Sequence, residues 1–103
     1  MSGADNTSFT LRKSAVSTTL TAQDYILLVL GATGAVTVTV PDASTVQPGR
    51  KYEVAKDAAA QTITIAPATG TIDGGANITL ASGAKHGVEI IGDGTNWFTT
   101  DSF

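Results

Sequence analysis

The chain has no cysteine, one histidine and one tryptophan among its 103 residues. Without cysteine it has no disulfide framework and no thiolate metal site. His86 alone excludes a histidine cluster and any mechanism that needs two imidazoles. Charge is scarce too, at 15% of residues against about 25% in ordinary soluble domains. Six Lys and Arg face nine Asp and Glu, a net charge of -3. That balance argues against a nucleic-acid partner, because phosphate binding needs a basic surface. No apolar run approaches the ~20 residues of a membrane-spanning helix. The most apolar stretch is Ile26-Leu27-Leu28-Val29-Leu30, so no membrane partner is expected. The polar N-terminus lacks the apolar segment of a secretory signal, and the product is expected to stay in the cytoplasm that makes it.

The chain does have threonine, 17 of them, and a period of two. Val36, Val38 and Val40 alternate with Thr37 and Thr39; Ile63 and Ile65 alternate with Thr62 and Thr64; Ile78 and Leu80 flank Thr79. Alternation of this kind places apolar side chains inward and polar ones outward on half-buried strands. Threonine, being β-branched, suits the outer positions. The pattern predicts strands over 16–20, 25–30, 35–40, 50–56, 61–66, 76–80, 86–91 and 95–100. Turn residues separate them: Gly31 and Gly34, Pro41-Asp42, Pro48-Gly49, Asp73-Gly74-Gly75 and Gly92-Asp93-Gly94. The expected fold is all-β, an antiparallel β-sandwich or barrel of about eight short strands. Ala43 to Val46 has room for one helical turn. The echo Thr37-Val-Thr-Val-Pro41, Thr62-Ile-Thr-Ile-Ala-Pro67, Asn77-Ile-Thr-Leu-Ala81 is irregularly spaced and reads as similar strands, not as a solenoid repeat.

Residues 1–14 read as a flexible N-terminal arm and 15–103 as the β domain. The arm is polar and aperiodic, with Phe9 and Leu11 as apolar anchors followed by Arg12 and Lys13. Within the domain, Ile26, Leu28 and Leu30 belong to a run that is apolar on both faces. Either it is the central strand of a closed sandwich or one face meets another subunit. Low charge and a mean hydropathy of +0.14 favour oligomerisation over a merely threonine-rich surface. With so few aromatics in the chain, Trp97 is expected to anchor the core.

Catalytic equipment is missing. His86 has no partner motif, no G-x-S-x-G elbow occurs, and the acids fall mostly in turns, where Asp serves its own backbone. Asp73-Gly74-Gly75 and Asp93-Gly94-Thr95-Asn96 do not match a calcium loop. No enzyme activity, catalytic residue, metal or cofactor is expected.

The order of short motifs is distinctive: Thr19-Leu20-Thr21-Ala22-Gln23-Asp24-Tyr25, Val38-Thr-Val40-Pro41-Asp42-Ala43, Pro48-Gly49-Arg50-Lys51-Tyr52, Asp73-Gly74, and Gly92-Asp93-Gly94-Thr95-Asn96-Trp97. Over residues 16–100 it resembles small β-modules of tailed-bacteriophage virion proteins, of the head-decoration, head-fibre or tail-fibre type. The resemblance implies a homotrimer in the virion that binds neighbouring chains rather than performing chemistry. It implies a capsid decoration (cement) protein on the major capsid lattice, with the arm as anchor. The alternative is a tail-fibre or tail-tip module binding a host-surface glycan.

Overall fold

The computed structural model describes residues 11–31, 34–57, 61–83 and 86–103. The described chain forms nine strands: β1 (Leu11–Ser14), β2 (Thr18–Thr19), β3 (Ile26–Val29), β4 (Val36–Val40), β5 (Lys51–Lys56), β6 (Ile63–Pro67), β7 (Ile78–Leu80), β8 (His86–Gly92) and β9 (Trp97–Ser102). They make two sheets, ordered β1-β3-β5-β8-β9 and β2-β4-β6-β7. Among the described residues one 3-10 turn, Ala43–Thr45, is capped by the Asp42 carboxylate accepting from the Ser44 amide. It sits where one helical turn was expected.

The all-β sandwich matches the alternation in the sequence, but the pairing is mixed rather than antiparallel throughout. Successive strands from β1 to β6 alternate between the two sheets. Within each sheet they lie parallel: β1 on β3 on β5, and β2 on β4 on β6. The chain therefore winds as a flattened coil. In the last full turn each residue pairs with the one 27 positions later, Ile26 with Glu53 in one sheet and Val36 with Ile63 in the other. The Thr-Val/Ile echo, read from the sequence as mere local similarity, includes two successive coils of this winding. Its irregular spacing arises because the third copy, β7, folds back antiparallel on β6. Pairing of β5 with β8 and of β8 with β9 is also antiparallel.

The core lies between the sheets. Leu27, Val29, Tyr52, Val54 and Ile90 from one sheet meet Val36, Val38, Val40, Ile63 and Ile65 from the other. The sandwich is a slab of 37 × 36 × 21 Å. Trp97 is fully buried. Its indole N–H donates to the Pro41 carbonyl at 2.8 Å, and its ring tilts against Tyr52 with centroids 5.5 Å apart. Burying an indole without a partner for its N–H would be costly, and the Pro41 turn supplies one.

Residues 11–14 are not part of an arm. They form an edge strand hydrogen-bonded to β3 in register, Leu11 opposite Ile26 and Ser14 opposite Val29. Only Phe9 and the rest of 1–10 from that segment lie outside the described residues. Periodicity could not reveal this strand, because Leu11-Arg-Lys-Ser14 carries a single apolar side chain and that one points outward.

Candidate functional site

Two surfaces and one polar knot hold the residues that the sequence singled out. The knot comes first, because it fixes the edge on which the larger surface begins. In the turn before β3, Asp24 is almost fully buried. Its carboxylate accepts from Arg12 Nε at 3.1 Å and Nη2 at 2.9 Å, and from the Thr21 amide at 2.8 Å. Arg12 also donates from Nη1 to Thr18 Oγ1 at 2.8 Å and from Nη2 to the Thr19 carbonyl at 3.1 Å. One guanidinium thus stitches β1, at the edge of the first sheet, to β2, at the edge of the second. Burial alone would raise the Asp24 pKa. The Arg12 hydrogen bonds, the Thr21 amide and the guanidinium charge together outweigh it and hold the carboxyl below its usual value. Beside the knot, the Arg50 guanidinium lies 4.2 Å from the Tyr52 ring centroid and donates to the Ala22 and Asp24 carbonyls. The Tyr52 hydroxyl donates to the Thr21 carbonyl at 2.9 Å. Burial pushes the Tyr52 pKa up. Arg12, expected to anchor an arm to a partner, is instead committed to an internal ion pair. A fixed guanidinium fork suits a buried carboxylate, and releasing it would leave Asp24 charged and unpaired.

The first surface is the outer face of the five-stranded sheet. Strand alternation sends Leu27 and Val29 into the core and leaves Ile26 and Leu28 half-buried on the outside. Leu30, just past the strand, is exposed. Of the doubly apolar run, then, the even-numbered residues are surface residues in the single chain. Two cross-strand rows can be read from the register. Leu11, Ile26, Glu53, Glu89 and Asp101 form one; Lys13, Leu28, Ala55, Gly87 and Phe103 form the other. Leu11 is 53% exposed. Phe103 exchanges both backbone hydrogen bonds with Gly87, and its ring covers the place where a Cβ on residue 87 would stand, 2.3 Å away. The first row thus runs from apolar on β1 and β3 to acidic on β5, β8 and β9, while the second runs from Lys13 on β1 to the exposed Phe103 beyond β9. Sequence reasoning found Leu11, Lys13, Ile26 and Leu28 but not the acidic row, whose members are 36 and 12 residues apart and align only through pairing.

The second surface is the outer face of the four-stranded sheet. Thr37, Thr64 and Thr79 stand in one row and Thr19, Thr39 and Ala66 in the next. These rows contain no charged side chain.

The loop acids serve turns. Asp73 (φ 52°) and Gly74 (φ 78°) form the tight turn between Ile72 and Gly75, a left-handed pair of positions that Asp-Gly tolerates. The Asp73 carboxylate accepts from the Thr99 amide at 2.8 Å and from the Thr99 hydroxyl. Asp93 Oδ1 accepts from the Thr95 and Asn96 amides at 2.9 and 2.8 Å. Those amide bonds lower the Asp93 pKa, and hydrogen bonds from Thr69 and Ser44 do the same for Asp42. His86 opens β8 opposite Lys56. Among the described residues no group of three or more His, Cys, Asp or Glu side chains is placed to hold a metal ion.

Comparison with protein-family models finds no match for this chain, and a search of curated proteins finds no related sequence.

Proposed function

We propose that the chain is a structural protein of a tailed-bacteriophage virion, a capsid decoration protein that binds the major capsid lattice as a homotrimer. The observation that carries this reading is the apolar strip Leu11–Ile26–Leu28 on the outer face of the five-stranded sheet. It is turned away from the chain's own core, so its burial awaits another protein surface. The order of motifs resembling phage virion modules supports it, as does a threonine face without charge. Binding of this kind stabilises the assembled lattice by mass action, because the binding site exists only on the assembled shell. It requires no catalysis. The acids in the loops are engaged by turn amides, and the role uses no cofactor.

A second reading, a tail-fibre or tail-tip module contacting a host-surface glycan, is favoured by the parallel winding. The edges β1 and β2 lie at the same end of the coil, and both run parallel to their neighbours. Such an end suits stacking on a further coil of an elongated fibre.

The test uses particles with and without the protein, heated while DNA release is followed, together with immunogold labelling. Decoration predicts many labels over the head and a higher release temperature when the protein is bound. Labels confined to the tail with equal release temperatures would replace the capsid reading with the fibre one.

A further inference from the structure

The outer face of the five-stranded sheet holds a local conflict. Glu53 lies directly opposite Glu89, and Glu89 directly opposite Asp101. Like charges facing each other across strands are destabilising. Relief within the chain is partial: Lys51 Nζ is 3.6 Å from Glu89 Oε1, and the Thr100 hydroxyl donates to the same oxygen at 3.0 Å. On the opposite margin Lys13 is exposed and has no acidic partner among the described residues. Between the margins run Ile26, Leu28 and Ala55. One face of one chain therefore carries a cation on β1 and carboxylates on β5, β8 and β9, with Ile26, Leu28 and Ala55 between them and the exposed Phe98 and Phe103 flanking Asp101 on β9.

We infer that this face is a contact between copies of the chain, with the Lys13 margin of one copy set against the Glu53–Glu89–Asp101 margin of the next. A second copy fits because the face is complementary to itself in charge. The ammonium group relieves the carboxylate row while Ile26 and Leu28 leave water. The two margins differ, so each copy gives one and receives the other, an arrangement that closes into a ring when the rotation allows. The inference rests on the reading of the chain as a self-assembling virion module and names the surface that such assembly uses.

The experiment is sedimentation equilibrium of the full chain up to about 100 μM, a range that detects weak specific contacts. The expected result is a multiple of the one-chain mass. Lys13→Glu and Asp101→Lys should each weaken association about tenfold, and the doubly substituted chain should return to within about threefold of the parent, since the pair is restored with its signs exchanged. Leu28→Asp should abolish association while the circular-dichroism melt stays close to the parent's, because Leu28 lies outside the core. A one-chain mass throughout overturns the inference, as does a double variant whose losses add instead of cancelling. A one-chain mass combined with loss of particle binding in Leu28→Asp assigns the face to the capsid protein and leaves the virion reading standing. A two-chain mass with the charge-swap response keeps this contact and removes the threefold assembly proposed above.

Discussion

Strands β1 to β6 and strands β7 to β9 are made of the same residue types, yet the first group pairs parallel and the second antiparallel. The difference follows from the connections. Between β3 and β5 the chain crosses to the other sheet and back, and a strand that returns after such a circuit arrives parallel to the one it left. Between β8 and β9 only Asp93 to Asn96 intervene, and a turn that short forces the strand to reverse. The edges differ as well. The start of β9 is covered by the loop between β6 and β7: Asp73 N–H donates to the Trp97 carbonyl at 3.0 Å and Trp97 N–H to the Thr71 carbonyl at 2.9 Å. β1 pairs with β3 on one side only. The antiparallel end is covered by its own loop, whereas the parallel end is closed by a side chain, Arg12.

Trp97 joins the two regions, and its loss should have the largest effect. Trp97→Ala removes a fully buried indole and leaves the Pro41 carbonyl without its donor. A loss of about 4 kcal/mol is expected, enough to lower the melting temperature by roughly 20 °C in a domain of this size. A shift below about 5 °C would mean that the parallel and antiparallel parts are stable separately.

Arg12→Ala tests the parallel end alone. It strips Asp24 of its charged partner and unties β1 from β2. The guanidinium is partly exposed, so the expected cost is about 2 kcal/mol, below that of a fully buried pair. Deletion through Ser14 removes β1 as well and should cost more than Arg12→Ala. A chain lacking residues 1–14 that melts with the parent would show β1 to be dispensable.

Acid should loosen the same end. The Asp24 pKa is lower folded than unfolded, so its contribution is fully present above the unfolded value near 3.8 and is lost as pH falls through the folded one. Asp42 and Asp93 shift in the same direction. Urea midpoints should therefore fall below about pH 4. In the Arg12→Ala chain that decline should be shallower, and an unchanged slope would exclude the ion pair as its source.

The smallest effect belongs to the antiparallel end. Gly87→Ala places a Cβ 2.3 Å from the far end of the Phe103 ring, but Phe103 is 55% exposed, so the ring can move aside. A loss under about 1 kcal/mol is expected, with faster amide exchange at Phe103. Slower exchange there would show that the ring is not displaced.

Alternation made most strands legible, because it reports which side chains face inward. The expected 35–40, 50–56 and 86–91 lie within a residue or two of β4, β5 and β8. The charge-poor threonine surface was legible for the same reason. Strand β1 was not, since Leu11, Arg12, Lys13 and Ser14 offer one apolar residue where a pattern needs several. Nor was the role of Arg12, whose partner stands 12 residues away across a turn that composition does not encode. The doubly apolar run was visible, but whether Leu28 faced the core or the outside could not be read from it.

The sequence by itself determined the all-β class, the positions of most strands and the two-sided character of the alternating ones. These follow from local stereochemistry: a period of two fixes the face on which a side chain lies, and Gly, Pro and Asp fix where the chain turns. Only the tertiary structure decided which strand lies beside which, the parallel sense of the first six, the alignment of Glu53, Glu89 and Asp101, and the closing of the sandwich by Arg12 and Asp24. Pairing joins residues far apart in the chain, and a period of two is equally satisfied by any neighbour and either direction. The choice among them is made by the length of the connections and by the burial that each arrangement achieves.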